Sequence, residues 1–455
     1  HGRLARVPVF PKGRDAMGST HRDVLRAIAL ARILTRHLLH RLRYSIILWS
    51  ILAGVIGIST ILIVAPWGCT PKTNEAAIPL SGRTIRVRLL QAQDQITLKP
   101  AAPFIYRAEG GERQVNVAAG TQIPLRLTDT GWLAGNLNLG KGVLTLRPTV
   151  EGQLRINDRN YRGQYRLLPL EGHKFDVIND VELDDYLKSV LSKELYANWQ
   201  EETYKAQAIA ARTYALYEKY ARSEDRTFDL HADVRSQAYG GLDSETPKSR
   251  KAVEETAGVV LATGSDGNER IFKAYFSSTC GGVTQASTVF NDPYLQPLSE
   301  QYVGTLCSAS PKYTWGPIVI AKDELSQRIK KWFINRQRPQ IPALPIRAID
   351  IEIRNRFGRP MRFGVIDAKG MRFSLMAEEL RWAVNTDTPE NQKMPSSFVE
   401  NIINDYDKIH FIGGRGLGHG VGMCQYCAEA RAKAGMRHED ILLAAYPGAR
   451  LLRAY

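Results

Sequence analysis

The apolar residues of this chain change their spacing once, near Asp180, and that change limits its architecture more than any other feature. Upstream the period is two. Ile85, Val87 and Leu89 alternate with Arg86 and Arg88, and the pattern recurs at Ile123, Leu125 and Leu127, at Leu144 and Leu146, and at Leu154 and Ile156. Successive side chains of a strand face opposite ways, so this alternation, punctuated by Gly and Asn/Asp, predicts a small antiparallel β region reaching to about Ile178. Downstream the period is helical: Leu183, Tyr186, Leu187, Val190, Leu191 and Leu195 form one stripe, with Asp184 and Asp185 in the first turn where the helix dipole favours carboxylates. Further helices are expected at about 203–220, 322–333 and 423–434, the last of the chain. Strands are expected at 271–276 and 348–353, and a turn at 258–267. The expected fold class is α+β: a single N-terminal transmembrane helix, a small antiparallel β subdomain over 81–156, then a mixed α+β catalytic core over 157–455.

The transmembrane expectation rests on residues 46–65, twenty positions without a charge, enough to cross a hydrocarbon core of ~30 Å as a helix. Arg41 and Arg43 precede the run, while only Lys72 and Glu75 follow it closely. The positive-inside rule then puts a basic arm (1–45) in the cytoplasm, the anchor at 46–66, a polar linker at 67–80 and the large C-terminal part outside, as in a single-pass cell-membrane protein. A cleaved or lipidated signal ending at Cys69 is the rival, with Pro66 against it. Lys+Arg minus Asp+Glu is 61 − 46 = +15, and residues 1–45, with ten Arg/Lys and two Asp, hold +8 of it. The other +7 is spread over the rest of the chain, too thinly for a nucleic-acid partner.

Outside the cytoplasm disulfides persist, which governs the reading of Cys69, Cys280, Cys307, Cys424 and Cys427. Disulfides are favoured. A structural zinc is the alternative, although the gap between Cys280, Cys307 and the Cys424-x-x-Cys427 pair is far too long for a zinc ribbon. No metal ligands are assigned.

Glu194 stands out chemically. It lies three after Leu191, four after Val190 and seven after Leu187, on the apolar stripe of its own helix. Desolvation there raises a carboxyl pKa, which suits a general acid. The bland reading is that Glu194, near the helix end, reaches water. Arg212 repeats the anomaly with opposite charge among Ala208, Ile209, Ala215 and Leu216, and a structural role is favoured for it. The segment 413–422, GGRGLGHGVG, superficially suits a dinucleotide-binding turn, but too little chain follows it for a βαβ unit. Its glycines instead permit close approach of a ligand or another strand, and His419 sits in its middle. A thiol nucleophile at Cys280, paired with His419 or His231, is a weaker possibility because an external thiol tends to oxidise.

These residues together resemble the stage II sporulation protein D (SpoIID/LytB) family. The resemblance runs from about Asn157 to the C-terminus through LDDYL at 183–187, KEL at 193–195, KAQAIAARTYA at 205–215, SQAY at 236–239, YFSSTCGG at 275–282, MPSSF at 394–398 and GLGHGVGM at 416–423. It implies a membrane-anchored lytic transglycosylase that cuts MurNAc–GlcNAc bonds of peptide-stripped peptidoglycan strands, leaving 1,6-anhydro-MurNAc ends. The family's catalytic Glu maps onto Glu194, acting as general acid and then base. Arg212, Ser236, Gln237, Tyr239, Thr279 and His419 are the candidates to line the substrate cleft. LytB-type relatives imply an alternative, a non-catalytic amidase enhancer that binds wall glycan and stimulates a wall amidase. The chain departs from the family pattern at Cys424 and Cys427, where Ser and Gly are usual.

Overall fold

The computed structural model describes residues 83–455, except 119, 222–225, 234 and 266, together with the backbone of Glu75–Ala77. The basic arm, the anchor and most of the linker lie outside the described residues. Among the described residues no helix is long and apolar enough to cross a membrane.

The period-two region forms two antiparallel-rich sheets. A six-stranded sheet runs in the order Arg159–Asn160, Leu154–Ile156, Gln95–Pro100, Ile123–Thr128, Gly131–Ala134, Leu137–Gly140. A seven-stranded sheet runs Leu230–His231, Thr84–Gln93, Phe175–Glu182, Gln164–Pro169, Leu144–Pro148, Phe104–Ala108, Gly111–Val115. Alternate residues bury their side chains between the two. Trp132 of the first sheet meets Phe175 of the second edge-on, ring centroids 5.0 Å apart. Thr84–Gln93 pairs along Phe175–Glu182, so strands from both sides of residue 156 share one sheet.

The helical part begins where Phe175–Glu182 runs directly into α1 (Leu183–Glu194). Helix α2 (Glu201–Tyr220) follows, then α3 (Pro247–Glu255). Helix α2 is buried on nearly every face, and its alanines at 206, 208, 210, 211 and 215 let neighbours come close. It touches α1, α3, the strand Val259–Thr263 and two later helices, α6 (Gln425–Lys433) and α7 (His438–Ala445). Between them come α4 (Lys322–Asn335) and α5 (Ala377–Val384), beside the three-stranded sheet Ala348–Arg354, Pro360–Ile366, Arg372–Met376. The mixed α+β class therefore holds.

The turn expected within 258–267 is present at its end, where the Asn268 N–H meets the Ser265 carbonyl at 3.2 Å, but the stretch before it is the strand Val259–Thr263, recruited by pairing with the C-terminal strand Arg450–Arg453. Two other local expectations differ. The strand expected at 271–276 breaks in two: Arg270–Phe272 pairs with Val259–Thr263, whereas Phe276–Ser277 runs parallel to Met423–Cys424. Helix α7 lies beyond the helix expected to be the last, and its short apolar run Ile441–Leu443 gave too little periodicity to read.

Arg212 locks the helices together. Its guanidinium is fully buried and donates from Nε to Asp184 Oδ1 at 3.0 Å, from Nη1 to the Val259 carbonyl at 3.1 Å and from Nη2 to the Val253 carbonyl at 3.3 Å. Residues of α1, of α3 and of the strand that follows it thus hang on one side chain of α2. Having no accessible surface, Arg212 braces the fold and lines no cleft. Removing one partner of a buried charged cluster is costly, so Arg212→Met should lose about 3 kcal/mol of unfolding free energy. In urea melts this reads as a lower midpoint with an unchanged slope.

Candidate functional site

Glu194 is the last residue of α1, and the chain turns away after it through Leu195. Its carboxyl is half-buried and meets two donors. Oε1 accepts from the Ala238 backbone N–H at 3.0 Å, and Oε2 accepts from Gln425 Nε2 at 3.3 Å. Burial pushes the Glu194 pKa up, and the two hydrogen bonds only partly offset it. The group is therefore withheld from bulk water yet keeps some accessible surface, so it is able to give up a proton to a bound molecule and take one back.

The segment 236–239 is held so that the Ala238 N–H points at this carboxyl. Gln237 and Tyr239 are buried, at 1% and 3% exposure, and work as clamps. Gln237 accepts from Tyr186 OH at 3.0 Å and donates to the Ala211 carbonyl at 3.2 Å. Tyr239 OH donates to Asn179 Oδ1 at 2.9 Å. Ser236 Oγ accepts the His231 N–H at 3.1 Å. Gln237 and Tyr239 fix the geometry around Glu194 from behind, and neither presents a surface to a cleft.

Gln425, the first residue of α6, escaped sequence reading because 231 positions separate it from Glu194. Its Nε2 also lies 3.4 Å from Gln207 Oε1, while Gln207 Nε2 is buried without a partner. Amide O and N are assigned from the network and can exchange by a flip. With both amides flipped, Gln425 Oε1 faces Glu194 and accepts from a protonated carboxyl, and Gln207 Nε2 gains an acceptor. This short amide chain is thus compatible with both protonation states of Glu194.

An aromatic cluster lies next in sequence to these two residues. Tyr196, Trp199 and Tyr426 pack with ring centroids 5.3 Å (Tyr196–Trp199), 4.9 Å (Trp199–Tyr426) and 6.2 Å (Tyr196–Tyr426) apart. Tyr196 remains 58% exposed. Two cavities, of about 390 and 290 Å³, lie elsewhere, around Trp315 and Pro395 and around Phe104 and Leu139, and Glu194 lines neither.

His419 and Thr279 belong to the glycine loop. Thr279 is fully buried; it exchanges backbone hydrogen bonds with Leu417, and its Oγ1 lies 2.7 Å from Ser310 Oγ. The glycines serve strand approach rather than a ligand. At Gly422, φ is +70° and a Cβ would stand 2.0 Å from the Tyr275 carbonyl oxygen. His419 is half-buried between the rings of Tyr275 and Phe290, at 5.7 and 5.3 Å. Its Nδ1 accepts the Val421 N–H at 2.9 Å, leaving the proton of the neutral ring on Nε2. Its described contacts and those of Glu194 share no residue. Burial, aided by Arg381 and Arg359 and opposed by Glu378, pulls the His419 pKa down to about 4.

Four cysteines correct two expectations. Cys280, Cys307, Cys424 and Cys427 are free and buried, and the favoured disulfides are not formed. Their sulfurs stand 3.6 Å (Cys280–Cys307) and 3.8 Å (Cys280–Cys427) apart, far beyond the about 2.05 Å of an S–S bond. Cys280, with no accessible surface, cannot reach a substrate as a nucleophile. His231 meets Arg88 and Phe228 instead of it.

His419 generates a pH prediction. Its pKa is depressed in the folded protein, so the unfolded chain binds the proton first. The His419 contribution to stability is complete above about pH 6.5 and is lost as pH falls toward 4. NMR titration should place its ring near 4, and His419→Asn should flatten the acid limb of stability over that window.

Known proteins resemble this chain over the same segments. A family model described as SpoIID, stage II sporulation protein, matches residues 171–262, the stretch that carries α1, α2 and the 236–239 clamp. The chain is 27% identical over 413 residues to the amidase enhancer of Bacillus subtilis (strain 168), covering 78% of this chain and 55% of that protein. It is 23% identical over 299 residues to the stage II sporulation protein D of the same organism, covering 61% of this chain and 76% of that protein. An uncharacterized protein of Brachyspira hyodysenteriae is 25% identical over 357 residues, 76% of this chain and 89% of that protein. The chain thus spans little more than half the length of the amidase enhancer it matches. The matched model lies on the helices and loop that hold Glu194, and the chain is similar there to the stage II sporulation protein D family.

Proposed function

We propose that this protein is a peptidoglycan lytic transglycosylase that cleaves MurNAc–GlcNAc bonds of peptide-stripped glycan strands. The observation that carries the reading is the single half-buried carboxyl of Glu194, its pKa raised by burial, with a hydrogen-bond chain compatible with both of its protonation states. Ordinary glycosidases need two carboxyl groups, because water or an enzyme nucleophile must be handled separately. Here the C6 hydroxyl of MurNAc is the nucleophile. Protonated Glu194 gives its proton to the glycosidic oxygen as the C1–O bond breaks. The C6 oxygen then bonds to C1, and the Glu194 carboxylate takes the C6 hydroxyl proton, which restores the acid and closes the 1,6-anhydro ring. No water is consumed. Tyr196, exposed and two residues beyond Glu194 in the chain, suits the C–H face of a pyranose, and Trp199 and Tyr426 pack against its ring. The membrane anchor at 46–66, the cytoplasmic N-terminus and the extracytoplasmic core belong to the same proposal, since the substrate lies outside the cell membrane.

A second reading, a non-catalytic amidase enhancer, is favoured by the likeness to the Bacillus subtilis amidase enhancer. Digestion of peptide-stripped strands followed by mass analysis separates the two. Wild-type protein should yield 1,6-anhydro-MurNAc ends and Glu194→Gln none, with activity falling as pH rises through the raised pKa of Glu194. The raised pKa means that ionised Glu194 costs folding free energy at neutral pH, so Glu194→Gln should melt at or above the wild-type temperature. Loss of activity is then not loss of fold. Equal products from both proteins, or amidase stimulation that survives Glu194→Gln without cleavage, sinks the catalytic reading. Tyr196→Ala should raise KM roughly fivefold, about 1 kcal/mol and the usual worth of an aromatic contact, with kcat little changed.

A further inference from the structure

The four buried cysteines take no part in the proposed reaction, yet three distant segments of chain converge to bring them together. Cys280 lies just beyond the strand Phe276–Ser277, and Cys307 is 27 positions further on. Cys424 ends the strand Met423–Cys424 and Cys427 lies in the first turn of α6. All four Sγ atoms lie within 4.8 Å of one another. Zinc bound by thiolates at about 2.3 Å in a tetrahedron sets its sulfurs about 3.8 Å apart. The separations of 3.6 and 3.8 Å at Cys280 are those of tetrahedral corners. We propose that Cys280, Cys307, Cys424 and Cys427 form a tetrathiolate site for one zinc ion.

The surroundings of the four sulfurs favour negative charge. The backbone N–H groups of Cys280 and Cys427 both point at Cys424 Sγ, at 3.3 and 3.4 Å, and amide donors of this kind stabilise bound thiolate. Arg359 is fully buried beside them. Its Nη1 donates to the carbonyls of Cys280 at 2.9 Å and Val283 at 2.8 Å, and its Nη2 to the His419 carbonyl at 3.0 Å. None of its hydrogen bonds goes to a carboxylate. Beside four neutral thiols this would be a buried cation offset by carbonyl dipoles and by the field of Glu378, a carboxylate already paired with Arg381. Four thiolates around Zn²⁺ carry a net charge of −2, which Arg359 partly balances.

The ion has a structural consequence for the candidate site. Gln425 lies between Cys424 and Cys427, so fixing both thiolates fixes the residue that donates to Glu194. The zinc knot is thereby a positioning element, joining the glycine loop and α6 behind the carboxyl. It does not touch substrate.

The test is metal content of the full chain, purified without chelator. One zinc per chain is expected by elemental mass spectrometry. The four thiols should react with a thiol reagent only on unfolding, in step with zinc release. Cobalt substitution should give thiolate-to-cobalt charge-transfer absorption with the visible bands of a tetrahedral ion. Cys69→Ala should keep its zinc, and Cys307→Ser should lose it. Peptide mapping that finds two disulfides among the four cysteines overturns the proposal. So does reduced wild-type protein that stays metal-free in excess zinc. One iron per chain would overturn the choice of zinc. None of these readouts depends on glycan cleavage, so the zinc site and the catalytic reading fail separately.

Discussion

The Glu194 carboxyl sits where two requirements conflict. A carboxyl whose pKa is raised must be withheld from water, yet one that exchanges a proton with a bound molecule must be reachable. Glu194 ends α1, with the buried stripe of Leu187, Val190 and Leu191 preceding it, and its carboxyl is half-buried. Two donors are set against it, and neither carries a charge. A lysine or arginine in either place would have pulled the pKa down and discarded the effect of burial. The identity of the neighbours matters as much as that of the acid.

Much of the surrounding structure exists to hold those two donors. Gln237 and Tyr239 anchor the loop that offers the Ala238 N–H, and both are themselves tied to buried partners on α1, on α2 and on the strand leading into α1. Arg212 holds α2 against α1 through Asp184. On the other side, Gln425 depends on where α6 starts, and that is set by the parallel pairing of Phe276–Ser277 with Met423–Cys424. Glycines at 416 and 422 allow this pairing, because a side chain at either position would strike the Thr279 or Tyr275 backbone. The loop around His419 is thus a joint between strands. Its histidine is neutral, edge-packed against aromatic rings, and a poor proton donor at physiological pH.

Legibility in the sequence followed the range of the interaction. The period-two strands, the helical stripe and the displaced Glu194 are local patterns, fixed by side-chain direction within one element, and all were readable. So was the anomalous Arg212, although its partners were not. Gln425 was invisible as a site residue because glutamine carries no charge signature and its partner lies 231 positions away. Tyr196 and Tyr426 read as ordinary aromatics until they stood side by side. Thr279, Gln237 and Tyr239 were legible as important and misread as cleft-lining, because a motif marks a position without saying which way its side chain faces.

By itself, then, the sequence determined the period-two strands, the helical stripe of α1 and which carboxyl is out of place, because periodicity and the cost of a charge on an apolar face act within a few residues. Only the tertiary structure decided what that carboxyl touches, that four thiols far apart along the chain meet without bonding, and that His419 is packed away. Those outcomes depend on long-range strand pairing and helix packing, which bring together side chains whose separation along the chain carries no trace of their contact.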